Sequence, residues 1–241
     1  TSTKKASMST WAMCSAKAVT ALPYLLPTLP PVLARLFLVR HGEVHNPGHV
    51  CYGDLPGFAL GPAGRRQARA AAAYLAPSGA ELIVSSPLRR ARETAGIIGR
   101  RLGAPPVTDT RLTEWRLAVR WAGVIWEDLP TAFPGELEAY LEHPADLPFS
   151  PESLAAAAER VVDLVGELGR AHPGGRAVLV SHQDPIQAAR LLLTGGRLAA
   201  LHTGKPAPGS VLTLAPGSPW QLAAVWSPPG PTAPFPPVPD H

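Results

Sequence analysis

The residues best equipped for chemistry stand together near the amino end, in Val39-Arg40-His41-Gly42-Glu43, directly after the apolar run Leu36-Phe37-Leu38-Val39. A cation, an imidazole and a glycine in succession make a turn suited to an anion, and open α/β sheets gather ligands at the carboxyl ends of their strands. A second histidine has the same setting. The run Ala177-Val178-Leu179-Val180 leads into Ser181-His182-Gln183-Asp184-Pro185, where Asp184-Pro185 signals a helix start. His182 is thereby expected between a strand end and the positive end of a helix, which favours an anion. A third strand end, Glu81-Leu82-Ile83-Val84, is followed by Arg90. Arginine's planar fork matches oxyanions bidentately, so Arg40, Arg90 and the two histidines point to a phosphate ligand.

These side chains need a scaffold that brings three strand ends to one face. A helix is expected from Pro62, with Ala68, Ala71, Ala72 and Leu75 on its buried stripe. In Ser85-Ser86-Pro87 a serine cap and a proline at the first helical position predict a second helix, with Leu88, Ala91, Ala95, Ile98 and Leu102 facing the sheet. Pro106 to Asp109 reads as a short strand. Ser150-Pro151-Glu152 is expected to open the longest helix, which Pro173-Gly174-Gly175 ends. Ser210–Leu214 and Gln221–Trp226 predict a closing hairpin at the sheet edge. The segment from Leu112 to Ser150 lacks a clean period, and its Trp115, Trp121 and Trp126 read as packing for a loop excursion. Strands alternating with helices predict a three-layer α/β/α sandwich with a mostly parallel central sheet.

The 241 residues suit one sizeable domain with tails, since many of the 29 prolines crowd residues 23–31 and 228–239. The reading is a proline-containing, poorly ordered extension over 1–33, a catalytic domain over 34–227 and a proline-rich tail over 228–241. The net charge of +4 carries no basic run long enough to suggest a nucleic-acid partner. Lys4-Lys5 and the apolar stretch from Ala18 to Leu26 imitate a signal peptide, but prolines interrupt it, so a cytoplasmic location and no membrane partner are expected. Cys14 and Cys51 show neither a disulfide framework nor metal-ligand spacing and read as free thiols. His45 and His49 read as loop histidines, and no metal or other cofactor is expected.

Taken together, Arg40-His41-Gly42-Glu43, Ser85-Ser86-Pro87-Leu88-Arg89-Arg90-Ala91-Arg92-Glu93-Thr94-Ala95, Leu112-Thr113-Glu114, Glu152-Ser153 and Val180-Ser181-His182 resemble, in order and spacing, the motif blocks of the histidine phosphatase superfamily, which includes the phosphoglycerate mutases. The resemblance covers about residues 34–227 and implies a phosphoglycerate mutase-like fold. It also implies that His41 is a nucleophile forming a phosphohistidine, with a backbone carbonyl on its other ring nitrogen. Arg40, Arg90 and His182 are then expected around the phosphoryl oxygens, Glu114 as proton donor and acceptor, and Asn46 as a further phosphate ligand. Glu43 and Glu127 are alternatives to Glu114. Arg90 is preferred to Arg89 because it directly precedes Ala91.

Two departures stand out. Gln183 occupies a place where many relatives have glycine, and the loop Tyr52-Gly53-Asp54-Leu55-Pro56-Gly57-Phe58 is unlike the mutases' continuation. The expected activity is metal-independent hydrolysis of a small phosphomonoester. Mutase-type phosphoryl transfer is the runner-up, and a non-catalytic phosphate-binding relative the third reading.

Overall fold

The computed structural model of the chain describes Thr1 and residues 32–230. The proline-bearing stretches 2–31 and 231–241, with the signal-peptide-like segment and Cys14, lie outside the described residues. Six strands, β1 (Arg35–Arg40), β2 (Leu82–Ser85), β3 (Val107–Thr108), β4 (Arg176–Ser181), β5 (Val211–Ala215) and β6 (Gln221–Trp226), form one sheet in the order β3-β2-β4-β1-β5-β6. β4 pairs in parallel with β1 and β2, and β2 with β3, while β5 runs antiparallel to β1 and closes an edge hairpin with β6.

Each central strand is apolar on both faces because helices cover both. Phe37, Val39, Val178 and Val180 pack against Ala71, Ala72 and Leu75 of α1 (Pro62–Leu75) and Ala91, Ala95 and Ile98 of α2 (Arg89–Leu102). Leu36, Leu38, Ala177 and Leu179 face Val161, Leu164 and Val165 of α6 (Leu154–Ala171) and Ile186 and Ala189 of α7 (Gln183–Leu193). This is the predicted sandwich. Register places Arg40 beside Ser181 and Ser85 beside Val180, so the ends of β1, β2 and β4 open on one edge of the sheet.

Two helix starts differ from expectation. α2 begins at Arg89, with Leu88 rather than a serine at its N-cap, and Ser86 Oγ instead accepts from Leu88 N at 3.2 Å. α6 begins at Leu154, where the Ser153 hydroxyl accepts from Ala156 N at 3.0 Å. In each case Ser-Pro introduces a turn ahead of the helix. The segment expected to be irregular contains α3 (Arg116–Arg120), α4 (Leu129–Ala132) and α5 (Glu136–Glu142), each shorter than the span over which a helical period can declare itself. Trp115 and Trp121 are buried in a third core cluster with Tyr140 and Leu154, and their indole N–H groups donate to Glu152 O and Glu136 Oε2. Among the described residues, no helix is long and apolar enough to cross a membrane.

Where the His41 turn meets α1, the packing tolerates nothing but glycine. A methyl group on Gly42 would overlap the Gly64 carbonyl, and one on Gly64 of α1 would overlap the Glu43 carbonyl. We expect Gly64→Ala to cost about 1–3 kcal/mol in denaturant unfolding and to lower turnover as well, because the displaced backbone carries His41.

Candidate active site

The His41 turn is tied by main-chain and side-chain bonds to β4, α1, α2 and the loop before β5. His41 N donates to Ser181 O at 3.0 Å at the end of β4, and Gly209 N reaches the Arg40 and His41 carbonyls at 3.1 Å each. Gly42 N donates to Thr94 Oγ1 of α2 at 3.1 Å, and Glu43 N to Gln67 Oε1 of α1 at 2.7 Å. The imidazole is therefore held by its backbone, and its ring remains available for chemistry.

Its tautomer follows from its neighbours. Nδ1 lies 2.7 Å from the Gly42 carbonyl, which can only accept, so Nδ1 carries the proton. Arg90 Nε donates to Nε2 at 3.2 Å, so Nε2 presents its lone pair. Burial lowers the His41 pKa well below its ordinary value of 6.5, and the positive charges of Arg90 and Arg40 add to this, while the Gly42 carbonyl opposes it. His41 is thus a neutral base with an unprotonated Nε2 in a cationic setting.

Arg90 is 1% exposed. Its Nη2 donates to Gly53 O at 2.8 Å, and the guanidinium lies 4.7 Å from the centroid of the Tyr52 ring. Arg89 points outward and pairs with Glu93 at 2.8 Å. Arg40 donates from Nη1 to Pro206 O at 2.9 Å and, through a short bond, to Gln183 Oε1. His182 is fully buried, with its ring centroid 5.2 Å from that of His41. Ser86 Oγ lies 2.8 Å from its Nε2, while Nδ1 has no hydrogen-bond partner and sits 3.5 Å from Glu114 Oε2.

Glu114 Oε2 also lies 3.6 Å from Arg90 Nη2, and Oε1 accepts from Trp115 N at 3.0 Å. Burial raises the Glu114 pKa, Asp184 raises it further, and Arg90 works against both. The backbone of this residue is anchored by Arg160, which donates to Glu114 O at 3.1 Å and pairs with Glu152 at 2.8 Å. Of the three carboxylates considered from sequence, Glu114 is the one beside Arg90 and His182. Glu127 is at the surface, paired with His49 at 2.9 Å, and Glu43 lines the cleft.

Asn46 also lines the cleft, but its carboxamide bonds the Val50 backbone from both ends, Nδ2 to Val50 O at 2.9 Å and Oδ1 from Val50 N at 3.2 Å. One amide hydrogen is left over. Sequence reasoning missed Tyr52, Ser86, Thr94 and the tie from Gln183 to Arg40. Cys51 is a free thiol, and burial raises its pKa to about 11. Among the described residues, no cluster of three His, Cys, Asp or Glu side chains could hold a metal ion.

The cleft above His41 has a volume of about 280 Å³. Its outer wall joins two distant loops through the main chain. Cys51 N donates to Val124 O at 2.7 Å, Gly123 N to Cys51 O at 2.8 Å and Trp126 N to His49 O at 2.9 Å, with a bridge between Val50 and Ile125.

A neutral imidazole whose Nε2 lone pair accepts from Arg90, two guanidinium groups and a carboxyl whose pKa burial raises together suit transfer of a phosphoryl group. The family model of the histidine phosphatase superfamily, branch 1, matches residues 36–223. The chain belongs to that superfamily. Within it, a glucosyl-3-phosphoglycerate phosphatase from Mycolicibacterium vanbaalenii is 38% identical over 169 residues, spanning 67% of this chain and 74% of the relative. Phosphoserine phosphatase 1 from Hydrogenobacter thermophilus is 29% identical over 68% of this chain and 77% of its own. The solved structure of a mycobacterial glucosyl-3-phosphoglycerate phosphatase complexed with VO3 superimposes with a TM-score of 0.73 at 34% identity, over 81% of this chain and 100% of that one. The six-stranded sheet with helices on both faces is the fold that this chain shares with that structure.

The two buried histidines are expected to lower the stability of the fold in acid. Burial, helped by Arg90, also holds the His182 pKa well below 6.5. The unfolded chain takes up protons near 6.5 and the folded one does not, so stability is complete above that value and falls as the pH drops below it. His202, whose pKa burial also lowers, acts in the same sense, and Glu114, with its raised pKa, in the opposite one. Each histidine contributes a slope of at most about 1.4 kcal/mol per pH unit. We expect His182→Gln to flatten the dependence of Tm on pH between about pH 6.5 and 5; an unchanged slope would exclude His182 as its source.

Proposed function

We propose that the protein hydrolyses a phosphomonoester in two displacements at His41. In the first, His41 Nε2 attacks phosphorus, the P–O bond to the leaving group breaks, and the Glu114 carboxyl gives its proton to the departing oxygen, releasing the alcohol. In the second, water attacks phosphorus, its proton passes to the Glu114 carboxylate, and the P–Nε2 bond breaks. Inorganic phosphate leaves, and both groups return to their starting states. Arg40, Arg90 and His182 stabilise the charge on the phosphoryl oxygens, the task that a cation clamp performs in phosphoryl transfer. His182 Nδ1, buried and without a hydrogen-bond partner, fits this role as a donor.

The observation that carries the proposal is the fixed tautomer of His41, with Nδ1 on the Gly42 carbonyl and an unprotonated Nε2 that accepts from Arg90, beside which His182 and Glu114 are gathered. Asn46 is proposed as an auxiliary oxygen ligand through its remaining amide hydrogen. The phosphatase names of the relatives favour hydrolysis over mutase transfer. The test is a rapid-quench experiment with a phosphorus-labelled aryl phosphate. A phosphoenzyme labile in acid and stable in base, formed at full rate in the presence of chelator, is expected. Loss of activity on chelation would replace the arginine clamp with metal catalysis.

A further inference from the structure

Beyond the phosphoryl site the cleft is lined by the apolar or aromatic side chains of Val50, Cys51, Tyr52, Leu117, Trp121 and Trp126, together with the carboxylates of Glu43 and Asp184. Among the described residues that line the cleft, Arg40 is the one lysine or arginine, and the proposed reaction commits it to phosphoryl oxygens.

Other basic side chains close to the cleft are already engaged. Lys205 pairs with Asp184 at 3.1 Å and sits 4.8 Å from the Tyr140 ring centroid, Arg120 pairs with Glu136 at 2.7 Å, and the His49 ring contacts Glu127 at 2.9 Å. A substrate carboxylate would therefore lose its water without gaining an uncommitted lysine or arginine from the described lining, and would meet the Glu43 carboxylate. A volume of about 280 Å³ leaves room beside the phosphoryl group for one ring-sized moiety.

We infer that the leaving group is an uncharged, apolar, ring-sized alcohol, and that the cleft selects against phosphorylated acids. This rests on the phosphatase reading above and sets the chain apart from relatives named for glucosyl-3-phosphoglycerate and phosphoserine, both of which carry carboxylates. The discriminating element is partly repulsive: the Glu43 carboxylate disfavours a second anion while the tryptophan-bearing lining accepts an apolar group.

The test compares kcat/KM for 3-phenylpropyl phosphate, phosphoserine and 3-phosphoglycerate, all esters of unactivated alcohols. We expect the phenylpropyl ester to lead each acid by about tenfold or more. Trp126→Ala should lower the ratio of the phenylpropyl to the ethyl phosphate rate by about tenfold, and Val50→Lys should shift the preference towards phosphoserine. Equal or faster turnover of either acid overturns the inference. If none of these esters is hydrolysed, the phosphatase reading fails, and calorimetric binding to His41→Ala then decides the inference separately. Tighter binding of the phenylpropyl ester sustains it, and tighter or equal binding of phosphoserine overturns it.

Discussion

Replacing His41 with alanine lowers kcat by about 10⁴-fold or more and abolishes the phosphoenzyme, while inorganic phosphate and vanadate still bind. The size of the loss follows from the site having one nucleophile. Arg40, Arg90, His182 and Glu114 remain, but no other group presents a lone pair in the same place. Survival of the fold is expected because the turn is held through its backbone, from His41 N to Ser181 O and from Gly42 N to Thr94 Oγ1, and alanine keeps those bonds. Steady-state phosphate release, circular dichroism and a vanadate titration read the three quantities separately. Hydrolysis near the native rate in a folded His41→Ala protein would remove His41 from the reaction.

The second large effect belongs to Glu114. Glutamine keeps an acceptor for Trp115 N but has no carboxyl proton, so Glu114→Gln should slow alkyl phosphates by about 10²–10⁴-fold. An aryl phosphate such as 4-nitrophenyl phosphate releases a stable anion and should lose much less in its first step. Because burial raises the carboxyl's pKa, the native enzyme should retain its acid form to higher pH than an ordinary glutamate and lose alkyl turnover as the pH rises through that value. The lowered pKa of His41 sets the acid limb below 6.5. In Glu114→Gln the alkaline limb should vanish. Equal losses on both substrate types, with both limbs intact, would assign the proton transfer elsewhere.

The strands were legible in the sequence because β1 and β4 are continuous apolar runs, as burial on both faces demands, and each ends in a polar cluster. Arg40, Arg90, His41 and His182 stood out for the same reason. What surrounds them was less legible. Ser86 read as a helix cap, yet it bonds Leu88 N and approaches His182 Nε2, a contact made across the sheet by residues 96 apart. Gln183 read as a lost glycine, whereas its carboxamide oxygen receives the Arg40 guanidinium; no local pattern announces a bond over 143 residues. The short helices between Leu112 and Ser150 are stabilised by tertiary packing of Trp115, Trp121 and Tyr140 and not by their own periodicity. Glu114 could be picked out by motif, but its separation from Glu43 and Glu127 as the carboxyl beside Arg90 and His182 required coordinates.

The main-chain stitching between residues 49–51 and 123–126 has a consequence for descent with modification. Backbone N–H and C=O groups are common to nearly every amino acid, so the bonds from Cys51, Gly123 and Trp126 hold these loops in place whatever many of their side chains are. Mutations at Val50, Cys51 or Trp126 can accumulate without dissolving the partition they belong to, while His41, Arg90 and Glu114 stay anchored to other parts of the chain. Such a division lets a lineage explore new substrates by drift on one side of the cleft while selection guards the other.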